Sequence, residues 1–178
     1  ASAWMDLSTE PLVLEVPDTT ITTEVNGDFT TTTSIVGKNY SSEQIQSKSF
    51  KTNRYYLLPL FDAYSNIFAS PGTRTNSPKA HTYFISGPNW EGSDEDVPEN
   101  MEWISAPTNM VWMVGRIQVN NFKDGAQIVY PIQDNIKLIP SSQYRNRHYT
   151  SQKGQDNSDY DVIPVKKIKQ MSVTDFFS

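Results

Sequence analysis

The chain has 178 residues, 37% of them hydrophobic and 20% charged, and a formal net charge of −5. That length fits one domain able to bury a core of its own, and the acidic balance argues against a nucleic-acid backbone as partner, because such a surface is gripped by clustered Lys and Arg. With no cysteine and 2 histidines, disulfide scaffolds, thiol catalysis, iron–sulfur clusters and cysteine or all-histidine zinc sites are excluded.

Apolar runs are short and bounded by turn residues throughout, which predicts a mostly β protein. Leu12, Val13, Leu14 and Val16 form a strand closed by Pro17-Asp18. Residues 19–36 read as a β-hairpin, with Asn26-Gly27 supplying residues tolerant of positive φ and threonines favouring strands. A three-residue loop at 26–28 sets Val25 opposite Phe29 and Ile21 opposite Thr33. It gathers Ile21, Val25, Phe29 and Ile35 on one face. Residues 37–53 are polar and fit a long loop or a short helix around Ser42–Gln46. Tyr55 to Phe61 predicts a strand buried on both faces, with a bulge or edge at Pro59. Pro71-Gly72 predicts a type II turn. Tyr83-Phe84-Ile85 is a strand ending at Gly87-Pro88. Met110 to Val114 is a central strand that continues with period two through Gly115 to Val119.

One helix is expected. Asp124 is its candidate cap, and Ala126, Val129, Ile132 and Ile136 follow at helical spacing. Pro131 interrupts the run, so the helix either starts near Tyr130 or is kinked. Residues 141–161 hold no aliphatic side chain and read as an extended or disordered arm. Trp4, Leu14, Val16, Leu58, Phe68, Phe84, Val111, Trp112, Val114 and Ile117 are the expected core. The first residues enter a structured segment without an initiator Met. The last, from Met171, read as a helix opening with Ser172 or Thr174 as cap. Both ends suggest a piece of a longer protein. No apolar run approaches the ~18 residues of a membrane-spanning helix, and no signal-peptide pattern opens the chain.

No G-x-S-x-G, G-x-G-x-x-G, Walker loop or H-E-x-x-H occurs. His148 lies in the polar arm, and His81 reads as a strand-edge histidine. Glu91, Asp94, Glu95, Asp96 and Glu99 form a solvated acidic loop without the fixed glycine and glutamate of an EF-hand. Lys166, Lys167, Lys169, Arg145 and Arg147 read as a solvating linker. Asn39-Tyr40-Ser41 matches the N-glycosylation acceptor pattern. The densest polar segment is Asp62 to Thr75. There Asp62 and Arg74 are placed to pair across a tight turn, and Tyr64 and Asn66 add hydrogen-bonding groups. These groups either line a polar pocket or tie a loop down. Arg116 and Trp90 complete the ligand or interface candidates, the latter as a surface on which a sugar ring stacks. No catalytic residue, metal site or cofactor is assigned.

The segment Asp62-Ala-Tyr-Ser-Asn-Ile-Phe-Ala-Ser-Pro-Gly-Thr-Arg-Thr75 resembles the signature of the bacterial and viral family called domain of unknown function 1254. The resemblance extends over Ser2, Trp4, Asp6-Leu7-Ser8, Pro11, Val13-Leu14, Val16-Pro17-Asp18, Arg54-Tyr55-Tyr56, Gly87-Pro88-Asn89-Trp90-Glu91-Gly92, Ala106-Pro107-Thr108, Val111-Trp112, Gly115-Arg116 and Gln133, in order over residues 2–142. It differs in the roughly 35 residues between Val16-Pro17-Asp18 and Arg54-Tyr55-Tyr56, which predict an outward insertion at 19–53. The resemblance implies a β-sandwich, jelly-roll-like, with one or two short helices, in proteins exported to the cell envelope or found in large DNA viruses. It also implies a second β-rich domain after this one. On this reading residues 1–142 are the sandwich and 143–178 a linker. The expected function is a structural or interaction module of an exported, cell-envelope or virion protein. Its expected partners are a second domain of the same chain and a second copy in a homo-oligomer. The alternatives are a hydrolase and a carbohydrate- or small-ligand-binding domain, using the polar pocket around Asp62 and Arg74.

Overall fold

A computed structural model describes residues 2–25, 31–34, 48–146, 149, 171, 172 and 174. In chain order the strands are β1 (Ser2–Asp6), β2 (Leu12–Val16), β3 (Thr20–Val25), β4 (Thr31–Ser34), β5 (Lys48–Asn53), β6 (Tyr56–Leu57), β7 (Leu60–Phe61), β8 (Ile67–Ala69), β9 (His81–Ser86), β10 (Glu102–Ser105), β11 (Met110–Val114), β12 (Arg116–Ile117) and β13 (Lys137–Pro140). A short helix α1 (Thr73–Asn76) follows β8. After β12 the chain winds through α2 (Phe122–Asp124), a π-helical turn (Gly125–Val129) and α3 (Tyr130–Asp134).

The fold is mostly β, as expected. One sheet has the order β1-β11-β7-β8 and a second the order β10-β9-β2-β13. Strand alternation sends one face of each sheet inward. Met5, Leu60, Val111 and Met113 of the first sheet meet Leu14, Val16, Tyr83 and Ile85 of the second in one buried cluster, joined by Tyr56, Leu58 and Leu7. A jelly roll is an antiparallel arrangement, whereas here β10 runs parallel to β9.

The Tyr55–Phe61 run is not a single strand. It divides into β6 and β7 at Leu58-Pro59, and the partner run divides into β11 and β12 at Gly115. The register is the same on both sides of the break: Trp112 opposite Phe61, Met113 opposite Leu60, Arg116 opposite Leu57 and Ile117 opposite Tyr56. Pro59 has no N–H to give the ladder, but its carbonyl still accepts from Val114 N–H at 3.1 Å. The ladder therefore crosses its proline without slipping.

Residues 48–53, expected as loop, form β5. It pairs with β3 to make a three-stranded sheet in the order β4-β3-β5. Within it Val25 lies opposite Thr31 and Thr23 opposite Thr33, two residues away from the expected pairing. Because strand faces repeat every two residues, this slip leaves the same positions on the same side of the ribbon. The Asn26–Asp28 turn, Phe29, Ile35, the Ser42–Gln46 helix, Asn39 and His148 lie outside the described residues, as does most of 147–178.

The helix is the kinked form of the two expected, with a different cap. Asn121, not Asp124, accepts from the Asp124 N–H through its side chain at 2.9 Å. Tyr130 N–H donates to Gly125 C=O, one residue further back than in an α-helix. This wider turn falls just before Pro131, which has no N–H and enters α3 in its first turn.

Of the expected core, Leu14, Val16, Leu58, Phe84 and Val111 are buried, and Phe68, Trp112, Val114 and Ile117 partly so. Trp4 is the exception, at 68% exposed. Its neighbour Met5 takes the inward position in β1, so alternation turns Trp4 out.

Candidate functional site

Asp62 ends β7. One carboxylate oxygen accepts from Tyr64 N–H at 2.9 Å and Asn66 N–H at 2.8 Å, and the other from Asn66 Nδ2 at 3.0 Å. These bonds from Asn66 and Tyr64 hold the Asp62 carboxyl below its usual range. The turn carries Ser65 at φ 65°, a left-handed conformation that the Asp62 bonds hold in place. Outside the turn, Thr108 Oγ1 accepts from Ala63 N–H and donates to the Met110 carbonyl. Tyr64 itself projects into solvent.

Beyond β8 the expected type II turn is absent. Gly72 has φ 175° and ψ 173°, extended rather than left-handed, and bridges Leu57. A β-carbon on Gly72 would come within 2.9 Å of the Tyr56 carbonyl oxygen, so the glycine serves close backbone approach. Thr73 Oγ1 accepts from Tyr56 N–H at 3.0 Å, and Thr75 Oγ1 donates to the Ser70 and Gly72 carbonyls. Arg74 stands exposed on α1 and forms no ion pair with Asp62. The described ion pairs are Arg54–Asp124 and His81–Glu102. Arg116 is exposed on β12. The structure therefore brings Asp62, Tyr64 and Asn66 together in one turn and leaves Arg74, Arg116 and Trp90 apart from it.

Trp90 belongs to another group. Its ring packs on Phe84 with centroids 5.1 Å apart and edge-on to Trp103 at 5.5 Å. A β-carbon on Gly92 would lie 2.2 Å from that ring, which explains the glycine two residues after the tryptophan. Trp103 Nε1 donates to Ser86 Oγ at 2.9 Å. Ring faces engaged in this way pin the 87–92 loop onto the outer face of the second sheet.

Two groups were not identified as sites from the sequence. Arg54 is buried and pairs with Asp124 at 2.6 Å, the two side chains 6% and 10% exposed. Beside it, Thr19 Oγ1 donates to the Arg54 and Pro78 carbonyls, and Arg54 N–H donates to the Thr19 carbonyl. These bonds close the base of the β3–β5 pair. The second group is a polar cluster of β9 and β10. Glu102 Oε2 accepts from Asn76 Nδ2 at 2.6 Å and lies 3.0 Å from His81 Nε2, and the His81 ring packs on Tyr83 at 4.6 Å. Tyr83 and Tyr56 are buried, with their phenols facing one another in the core. Burial pushes both phenols up, Tyr83 more so because the Tyr56 phenol and the Glu102 carboxylate add to it. Only long-range strand pairing (Glu102 opposite Tyr83) creates this cluster, and no local pattern announces it.

The outer face of the first sheet carries an apolar row, with Ser2 and Asp6 at its margin. Trp4, Trp112, Phe61 and Ile67 stand opposite one another on β1, β11, β7 and β8, one residue per strand across the whole sheet. Trp4 stacks on Trp112 with centroids at 5.3 Å and planes 10° apart, and Phe61 packs on the other side of Trp112 at 5.7 Å. Met110 shares this face, two residues before Trp112. Ile67 is 57% and Met110 43% exposed. These side chains form a contiguous apolar row across the outer face of the sheet.

A mostly β scaffold whose signature polar groups are tied into its own turns, with an aromatic row on an outer sheet face, is what the fold and these groups define. The chain belongs to the family of proteins of unknown function DUF1254, whose profile matches residues 45–140. Its fold is similar to that of the crystal structure of the VPA0106 protein from Vibrio parahaemolyticus, at 21% sequence identity and a TM-score of 0.57. The match covers 84% of this chain and 29% of that one, so this chain spans under a third of its length. Among curated proteins none matches.

Proposed function

We propose that the chain is a structural or interaction module of a longer protein, exported, in the cell envelope or in a virion, with residues 1–142 as the sandwich and 143–178 as the linker to a second domain. The observation that carries this reading is the row Trp4–Trp112–Phe61–Ile67, exposed at its ends and half-buried at Trp112 and Phe61. Large aromatic side chains concentrate where partners bind. The strands β3, β4 and β5, inserted between the family's Val-Pro-Asp and Arg-Tyr-Tyr motifs, supply a further contact surface. The test is cross-linking with size exclusion of the complete polypeptide that carries this chain. Contacts through these surfaces, to another domain or a second copy, are expected. A particle in which no cross-link reaches residues 2–146 contradicts the reading.

One observation favours a second reading, a hydrolase or ligand-binding domain: a histidine held by a carboxylate, itself held by Asn76. The Glu102 carboxylate 3.0 Å from His81 Nε2 orients the imidazole, the arrangement general acid–base catalysis requires. His81→Gln then abolishes turnover of an ester or glycan substrate while thermal melting stays near wild type. Unchanged turnover removes this reading. In it Asp62 and Asn66 hold the scaffold rather than the substrate.

A further inference from the structure

The two outer sheet faces are treated differently. On the second sheet Val13 and Phe84, opposite one another on β2 and β9, point away from the inter-sheet core and are nonetheless buried. Trp90 comes back from the following loop to close over Phe84 and Trp103. On the first sheet the equivalent positions hold Trp4, Trp112, Phe61 and Ile67, and no described residue closes over them in the same way.

We infer that the first sheet's outer face is the seat of the remainder of this chain's own polypeptide, docked in cis against the Trp4–Trp112–Phe61–Ile67 row. This rests on the interaction-module reading and names the partner. Three observations favour this occupant. The fold recurs in a chain of which it forms only 29%, so a polypeptide of this kind has ample chain beyond the sandwich to cover a sheet. The row spans the sheet from edge strand β1 to edge strand β8, a footprint suited to a domain face rather than to a single peptide strand. Its rings are already ordered by stacking on Trp112, so a partner docks on a preformed surface and immobilises few side chains. Attachment in cis also gives an effective concentration in the millimolar range for a short linker. A contact of modest intrinsic strength is then persistently closed.

Met110 lies on this face and Met5 and Met113 on the buried one, so methionine oxidation by hydrogen peroxide reads the face directly. In the complete polypeptide, Met110 oxidises about tenfold more slowly than in the same protein unfolded in urea, independently of protein concentration. Replacing the row's outer members (Trp4→Ser with Ile67→Ser) restores fast Met110 oxidation, while Met5 and Met113 stay protected and so report an intact sandwich. Two results overturn the inference. Protection that appears only as concentration rises assigns the face to a second copy. Fast oxidation of Met110 in the wild-type polypeptide leaves the face open. In that case cross-links from other surfaces, such as the exposed Phe122 and Tyr130 on the helical segment, keep the module reading alive, and their absence removes both.

Discussion

The outer faces of the two sheets show how one sandwich can be finished at one side and unfinished at the other. Over the second sheet the chain supplies its own cover: Gly87 and Gly92 bracket a loop whose Trp90 seals Phe84. A β-carbon at Gly87 would sit 2.8 Å from the Leu7 carbonyl oxygen, so the loop leaves β9 pressed against the strand-end of β1. Over the first sheet three aromatic rings stack on one another, and among the described residues no loop ring closes over them as Trp90 does. The polar signature around Asp62 and Thr108 lies beside this face, and its bonds close its own turn and the neighbouring backbone. The lesson is that the family's ordered polar residues build the platform, and the platform's apolar surface is what it presents.

The largest expected effect lies in the buried Arg54–Asp124 pair at the base of the β3–β5 ribbon. Arg54→Met leaves Asp124 as a buried carboxylate without its cation, which costs about 3–5 kcal/mol in chemical denaturation. A loss under 1 kcal/mol would show that the pair is dispensable and that β5 and α2 are held by other contacts. Next is Gly72→Ala, which forces a methyl against the Tyr56 carbonyl and separates Gly72 from Leu57. Overpacking of this kind costs about 1–3 kcal/mol, read from the same denaturation curve. If the cost is nil, the bridge between Leu57 and Gly72 yields easily, and the platform is less rigid than its hydrogen bonds suggest.

Asp62→Asn sharpens the comparison by pH. The wild-type carboxyl sits below its ordinary value of 3.8 because Asn66 and the turn amides bind its charged form. Below 3.8 the unfolded chain binds more protons than the folded one, so stability rises with pH there. The Asp62 contribution is fully present above 3.8 and is lost as pH falls through the lower folded value. In Asp62→Asn the melting temperature should lose that part of its acid dependence. The parallel wild-type contributions from Asp6 and Asp96, lowered by Ser8 and Ser93, remain. An unchanged acid limb would place the Asp62 bonds outside the folded state's energetics.

Much of this was legible because apolar runs report strands directly. Leu12–Val16 and Met110–Val114 appear where they are read, and Pro59 marks the break in the long ladder, whereas the run expected to continue through Gly115 to Val119 breaks at Gly115 and ends at Ile117. What was not legible depends on partners distant in sequence. Trp4 reads as core because it is large and apolar, but pairing with β11 fixes which of Trp4 and Met5 faces in. Arg54 and Asp124 meet across 70 residues, and neither position carries a local sign of burial. The Pro71-Gly72 pair reads as a turn because glycine tolerates positive φ, whereas here its missing β-carbon lets β6 approach. Asp62 and Arg74 were paired by closeness in sequence, but donors from Asp62's own turn hold its carboxylate. The His81–Glu102 contact needed the parallel pairing of β9 with β10, which no local spacing predicts.

The most direct measurement is a matched pair of truncations in the 178-residue chain, Trp90→Ala on the covered face and Trp4→Ala on the open one. Removing Trp90 unroofs Phe84 and Trp103, and large-to-small changes of packed aromatics cost about 3–5 kcal/mol. Removing Trp4 forfeits one ring stack, about 1 kcal/mol. Denaturation midpoints that fall far more for Trp90→Ala than for Trp4→Ala are predicted. Equal losses would mean that the Trp4 row is part of the fold's own core, and the account of an open platform would be wrong.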